Sequence, residues 1–260
     1  YLPAARVANV LNDQGRAKGF VDTAGQLRPR VAEVLAMQAI VGKASDPKQA
    51  ARTMQQAIDA APEVPEYQYE LGMIFGQMGA PVEAIDAFRK AVALDPDYVD
   101  AYFQLSKVQR DLQRPKEAKE SLENAVRIDP KRSDAWVEMA DLLGQQGDDA
   151  GSLHAYEKAL KADPKNPVSI CAMGITLVQR LGNDVKNLKR GIDVLESCVR
   201  LDPKRGEAWH VLGDAYNTVT PQTSKTKKEA VRCLQKYVDL SPDDPNALVV
   251  KDQIKEINGK

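Results

Sequence analysis

The sequence predicts an all-α fold made of stacked helical hairpins, and three observations carry that reading. Proline recurs after helix-like runs at Pro62, Pro96, Pro130 and Pro164, each 34 residues beyond the last, and then at Pro203 and Pro242, each 39 further on. A fixed period of this size marks a stacked repeat. Within each period, apolar and small residues fall three and four apart, the spacing of one helix face. Composition agrees: hydrophobic residues make up 43% of the 260 and aromatics only 5%, and the Ala-, Gln-, Leu-, Asp- and Lys-rich mixture suits helices.

With the recurring Pro as position 32, the units are 31–64, 65–98, 99–132, 133–166, 167–205 and 206–244. Each reads as a helix A and a helix B. In 65–98, helix A carries Leu71, Gly72 and Phe75, and helix B carries Ala84, Phe88 and Ala91. The same slots hold Leu105, Ser106, Ala118, Leu122 and Ala125 in 99–132, and Met139, Ala140, Leu143, Ser152, Tyr156 and Ala159 in 133–166. Gly, Ala or Ser at positions 8, 20 and 27 lets helices approach to the ~8–10 Å of close packing.

Turn chemistry fits the same frame. Pro47, Pro81 and Pro115 occupy position 17, where proline suits the first turn of helix B. Asp46 is a ready N-cap. In 206–244, Thr226 and Glu229 suggest a capping box, and Asn187 stands at the matching cap position in 167–205. The two five-residue additions are therefore expected in the turns between helices. Each position-32 Pro discourages helix through the residue before it.

The ends are less regular. Residues 1–30 read as a degenerate unit with Val7, Ala8, Leu11, Gly15, Ala17, Val21, Ala24 and Pro29. Residues 245–260 read as a C-terminal capping helix, with Leu248, Val249 and Ile254 covering the last repeat. A start at Tyr1 rather than Met suggests a fragment or processed form.

The pattern resembles the tetratricopeptide repeat family. The best matches are Trp136, Met139, Ala140, Ser152, Tyr156, Ala159 and Pro164, and Trp209, Leu212, Gly213, Tyr216, Ala230, Leu234 and Pro242. Departures are Gln38, Gln68 and Tyr237, each at a slot the family fills differently. The resemblance implies a right-handed α-solenoid, or superhelix, whose helices A line a concave groove. Positions 5, 9 and 12 would then supply a partner-binding groove of Leu35, Tyr69, Met73, Phe103, Lys107, Arg110, Val137, Asp141, Ile175, His210 and Asp214, with Cys171 also at position 5. Large apolar side chains on an open surface mark contact sites, and an amphipathic segment suits such a groove. Burial of the position-5 residues against a neighbouring helix is the alternative. The Lys and Asn pattern by which some relatives grip chaperone tails is missing here.

Lys186, Lys189 and Arg190, in the first long turn, and Lys225, Lys227 and Lys228, in the second, suggest a basic ledge for an acidic partner. A solvated loop is the plainer alternative. The expected function is a non-enzymatic adaptor binding a protein or peptide partner. The alternatives are a self-assembling scaffold, or a recognition arm of a larger bacterial pilus, secretion, motility or enzyme assembly.

Other classes are disfavoured. With 36 basic and 37 acidic residues the net charge is -1, which argues against nucleic acid as partner. No apolar run reaches the ~20 residues of a membrane span. Two histidines, His154 and His210, stand in different units, and no catalytic set, metal spacing or phosphate loop appears, so no cofactor or metal is expected. Cys171, Cys198 and Cys233 are too scattered for a disulfide framework. This suggests a reducing, cytoplasmic setting, with a periplasmic one as the alternative.

Overall fold

The computed structural model describes residues 8, 13–27 and 31–259. Val7, Leu11 and Pro29 of the expected degenerate unit lie outside the described residues. Among the described residues there are fourteen helices and no strand. The chain divides into two compact units, residues 1–129 and 130–260.

In the first unit the helices are α1 (Gln14–Leu27), α2 (Ala32–Gly42), α3 (Pro47–Ala60), α4 (Pro65–Gln77), α5 (Pro81–Leu94), α6 (Val99–Asp111) and α7 (Pro115–Ile128). Each packs on the next in chain order. In the second they are α8 (Ser133–Gln145), α9 (Asp149–Ala162), α10 (Pro167–Gln179), α11 (Val185–Leu201), α12 (Gly206–Thr218), α13 (Ser224–Leu240) and α14 (Asn246–Ile257). These also pack in chain order, and α10 additionally meets α12. Proline opens α3, α4, α5, α7 and α10, where its missing N–H is no loss and its φ is already helical.

The small slots hold the hairpins shut. A Cβ on Gly72 would lie 2.6 Å from the Phe88 ring, one on Gly174 2.8 Å from Leu195, and one on Gly213 2.7 Å from Leu234. Ala84, Ala91, Ala118, Ala125 and Ala159 are fully buried at the facing slots. Phe88, Leu195 and Leu234 therefore bury completely, each contributing about 1.5–3 kcal/mol over an exposed position.

The recurring proline has a second role. The Trp136 indole N–H donates to the Pro130 carbonyl at 3.0 Å, and the Trp209 indole to the Pro203 carbonyl at 2.9 Å. The spelling in which Asp-Pro precedes Trp by six residues thus ties the first helix of a hairpin to the turn that leads into it. Gln68 occupies the tryptophan slot of 65–98. It is buried, and its Oε1 has no partner among the described residues.

The two long hairpins differ from expectation in their caps. Asp184, not Asn187, caps α11 by accepting from the Lys186 N–H at 2.7 Å. Thr223, not Thr226, caps α13, with Thr226 as the reciprocal partner of a capping box. Both helices run to 17 residues against 14 for α5, α7 and α9. Only two of the five extra residues lengthen each turn, and the other three add a helical turn. The reason is economy of hydrogen bonding: a residue added to an existing helix gains a backbone bond that a loop residue lacks.

Helix α14 covers the last hairpin with Ala247, Val250, Ile254 and Ile257. Leu248 and Val249, expected in that face, are 69% and 67% exposed. The buried set follows a three–four–three spacing that places both residues on the outer side.

Candidate functional site

In unit 1–129 the groove positions lie on α2, α4 and α6. Leu35, Tyr69 and Met73 are half-buried, resting on the hairpin core with one edge outward. Tyr69 is tilted against Phe88 at 5.8 Å and Tyr98 at 5.2 Å between centroids. Tyr98 was not anticipated. Burial, with the negative field of Tyr69, Glu66, Asp100 and Glu70, pushes its hydroxyl well above the usual phenol range. It therefore stays a neutral donor beside an acidic rim.

Phe103 departs from the expected open ring. It is only 7% exposed, and the Lys107 ammonium stands 5.6 Å from its ring centre. The aliphatic stem of lysine can cover an aromatic face while its charge stays in water. Lys107 and Arg110 are themselves half-buried, with the Arg110 guanidinium 3.9 Å from Asp111. Between α2 and α4, Lys43 bonds Glu70 at 2.9 Å.

In unit 130–260, Val137 and Ile175 are half-buried. Asp141 accepts the Tyr156 hydroxyl. Burial, and then that bond, raises the Tyr156 pKa far above the usual phenol range. His210 stacks on Tyr237 at 4.6 Å and stands 3.5 Å from Asp214. Asp214 in turn accepts from the Gln253 amide of α14 at 2.8 Å. These polar groups are bound into the hairpins rather than standing ready for chemistry.

Cys171 corrects the sequence reading most sharply. It is fully buried and bonded to Cys198, so it is no groove surface, and the chain does contain a disulfide. In the unit frame Cys171 is position 5 and Cys198 position 27. The His210–Tyr237 stack joins the same two positions one unit later. Elsewhere a larger residue at position 5 is matched by Ala57, Ala91, Ala125 or Ala159 at position 27. Two cysteines at facing slots were the available signal. The remaining thiol, Cys233, is buried, and that burial pushes its pKa up to about 12.

Of the basic residues in the long hairpins, Lys186, Lys189, Lys225, Lys227 and Lys228 are exposed. Arg190 is engaged with Glu157 at 2.7 Å. A mirror of that pair, Arg89 with Glu117 at 2.8 Å, joins the same positions with the charges exchanged. Arg190 thus belongs to the stacking of second helices. Among the described residues no cluster of three His, Cys, Asp or Glu could hold a metal ion. No described helix is long and apolar enough to cross a membrane.

Two tetratricopeptide-repeat family models match the chain, one over residues 77–136 and 109–169 and the other over 42–99. The chain is a tetratricopeptide-repeat protein. Its helical hairpins have many solved counterparts. YrrB, described as a repeat protein of this type with an unusual peptide-binding site, is similar at 20% identity and a TM-score of 0.65, over 78% of this chain and 99% of its own. Pseudomonas aeruginosa pilF is similar at 21% identity and a TM-score of 0.66, over 78% of this chain and 90% of its own. The C-terminal part of a tetratricopeptide-repeat protein from Cytophaga hutchinsonii gives a TM-score of 0.73 at 14% identity, over 96% of this chain and 99% of its own. At these identities the likeness is one of fold. No curated protein sequence matches the chain.

Proposed function

We propose that this tetratricopeptide-repeat protein is a non-enzymatic adaptor that holds an amphipathic segment of a partner protein. The segment lies against the first helices of the unit 1–129. The observation that carries the reading is the half-buried apolar set Leu35, Tyr69 and Met73, flanked by Lys107 and Arg110. A half-buried aromatic is already ordered by its packing, so a ligand covers its exposed part at little entropic cost. The peptide-binding site described for YrrB supports the same use of the fold.

The Cys171–Cys198 disulfide supports an oxidising compartment, and so the periplasmic rather than the cytoplasmic alternative. The test is peptide display against the full chain. Amphipathic peptides should be selected, and the Tyr69→Ala, Met73→Ala double variant should lose them while keeping its circular dichroism and melting curve. Selected peptides that bind the folded double variant as well as the parent would defeat the proposal.

A further inference from the structure

The two long hairpins place a second, chemically different surface in the unit 130–260. Lys186 and Lys225 occupy equivalent slots in the extra helical turns of α11 and α13, and Lys189 and Lys228 occupy equivalent slots three residues on. Residues three apart share a helix face, so the same basic pair is presented twice, in successive hairpins. None of these four ammonium groups, nor that of Lys227, makes an ion pair or hydrogen bond among the described residues. Arg190 is excluded by its bond to Glu157, and the Asp184 carboxylate by its role as N-cap.

Between the two long turns lies a cavity of about 430 Å³. Val178, Val185 and Leu188 form its apolar side and Gln179, Asn183, Thr218 and Thr220 its polar side, with Gly182 and Asn183 from the first turn and Thr220 from the second. Asp214 also lines it, but that carboxylate is bonded to Gln253. The cavity is large enough to take an apolar side chain together with the backbone beside it. The cavity favours a polypeptide among anionic ligands, because its mixed lining offers apolar contact to a side chain and polar groups to a peptide backbone, whereas a phosphate backbone or headgroup uses only charge. The near-balanced charge of the chain, 36 basic against 37 acidic, also gives little general attraction for polyanions.

We infer that the paired long hairpins dock an acidic polypeptide segment carrying one apolar side chain. The side chain enters the cavity and the carboxylates meet Lys186, Lys189, Lys225 and Lys228. The surface shares none of the residues Leu35, Tyr69 and Met73, so it stands or falls apart from the groove reading.

The probe is a short fluorescent peptide of Asp and Glu with one central Leu, titrated by anisotropy against the full chain. Binding should weaken steadily with salt, as exposed charge pairs do. Lys186→Glu with Lys225→Glu should weaken it at least about tenfold, the scale of two reversed contacts. The matched control, Lys48→Glu with Lys116→Glu, should leave it unchanged. Replacing the central Leu by Ser should weaken it by about threefold or more, as an apolar side chain leaves its recess. The Tyr69→Ala, Met73→Ala variant should bind the probe like the parent. No binding at low salt, an equal loss in the control pair, or indifference to the Leu→Ser change would each overturn the inference. So would tighter lysine-dependent binding to duplex DNA or to phosphatidylserine vesicles.

Discussion

The hairpins 65–98 and 167–205 solve one packing problem in two ways. In 65–98 the slots at positions 5 and 27 hold Tyr69, half-buried, and Ala91, fully buried. In 167–205 the same slots hold Cys171 and Cys198, fully buried and bonded. The first arrangement leaves the aromatic ring half-buried, tilted against Phe88 and Tyr98. The second closes the slot and removes it from any binding surface. At position 5 the two hairpins therefore differ in exposure: Tyr69 opposite Ala91 is half-buried, whereas Cys171 bonded to Cys198 is fully buried. The covalent solution also sits in the hairpin that carries an extended turn, while the shorter hairpin stays shut on volume alone.

Breaking the covalent solution should have the largest effect. Replacing both Cys171 and Cys198 by Ser removes a link that closes 27 residues of chain, worth about 3 kcal/mol. Thermal unfolding of the double variant should lose stability in residues 130–260 and leave residues 1–129 unchanged. Treatment of the parent with dithiothreitol should mimic it. Breaking the volumetric solution should come next. Ala84→Leu over-packs a fully buried slot at a cost of about 1–3 kcal/mol. Gly72→Ala drives a Cβ into the Phe88 ring and should cost a similar amount, read as a lowered urea midpoint.

Two smaller changes repair a hairpin instead of breaking one. Gln68→Met removes a buried amide whose Oε1 has no partner among the described residues and should raise stability by about 1 kcal/mol. Gln113 holds a left-handed φ of 58° at the turn where 65–98 and 133–166 place Gly79 and Gly147. Gln113→Gly relieves about 1 kcal/mol of backbone strain and gives part of it back through the freer unfolded chain. A small upward shift in melting temperature is the expected outcome. The smallest effect concerns Cys233: its burial and a pKa of about 12 should leave it unalkylated by iodoacetamide in the folded protein at neutral pH. Rapid labelling without unfolding would contradict the packing described.

The period, the small slots and the opening prolines were legible in the sequence because each answers to a local rule. Gly72 must admit Phe88, and Pro81 must begin a helix. Three features were not, each for a physical reason. The Cys171–Cys198 bond needed positions 5 and 27 to be recognised as facing one another across a hairpin, a relation of tertiary structure. The caps Asp184 and Thr223 were missed because Asn187 and the Thr226–Glu229 spelling are plausible local caps, whereas the extra helical turn, which gains backbone hydrogen bonds, moves each cap upstream. Leu248 and Val249 were placed inward by hydrophobicity, whereas Ala247, Val250, Ile254 and Ile257 hold the buried spacing. At the candidate site, Tyr69 and Met73 are half-buried, while Phe103 is buried beneath Lys107, a covering no slot number reveals.

The most direct measurement is amide hydrogen exchange on the full chain with and without a peptide selected by display. New protection is expected on α2, α4 and α6, the helices that carry Leu35, Tyr69, Met73 and Lys107. Protection confined to α3, α5 and α7, or none despite saturating peptide, would contradict a groove built on the first helices.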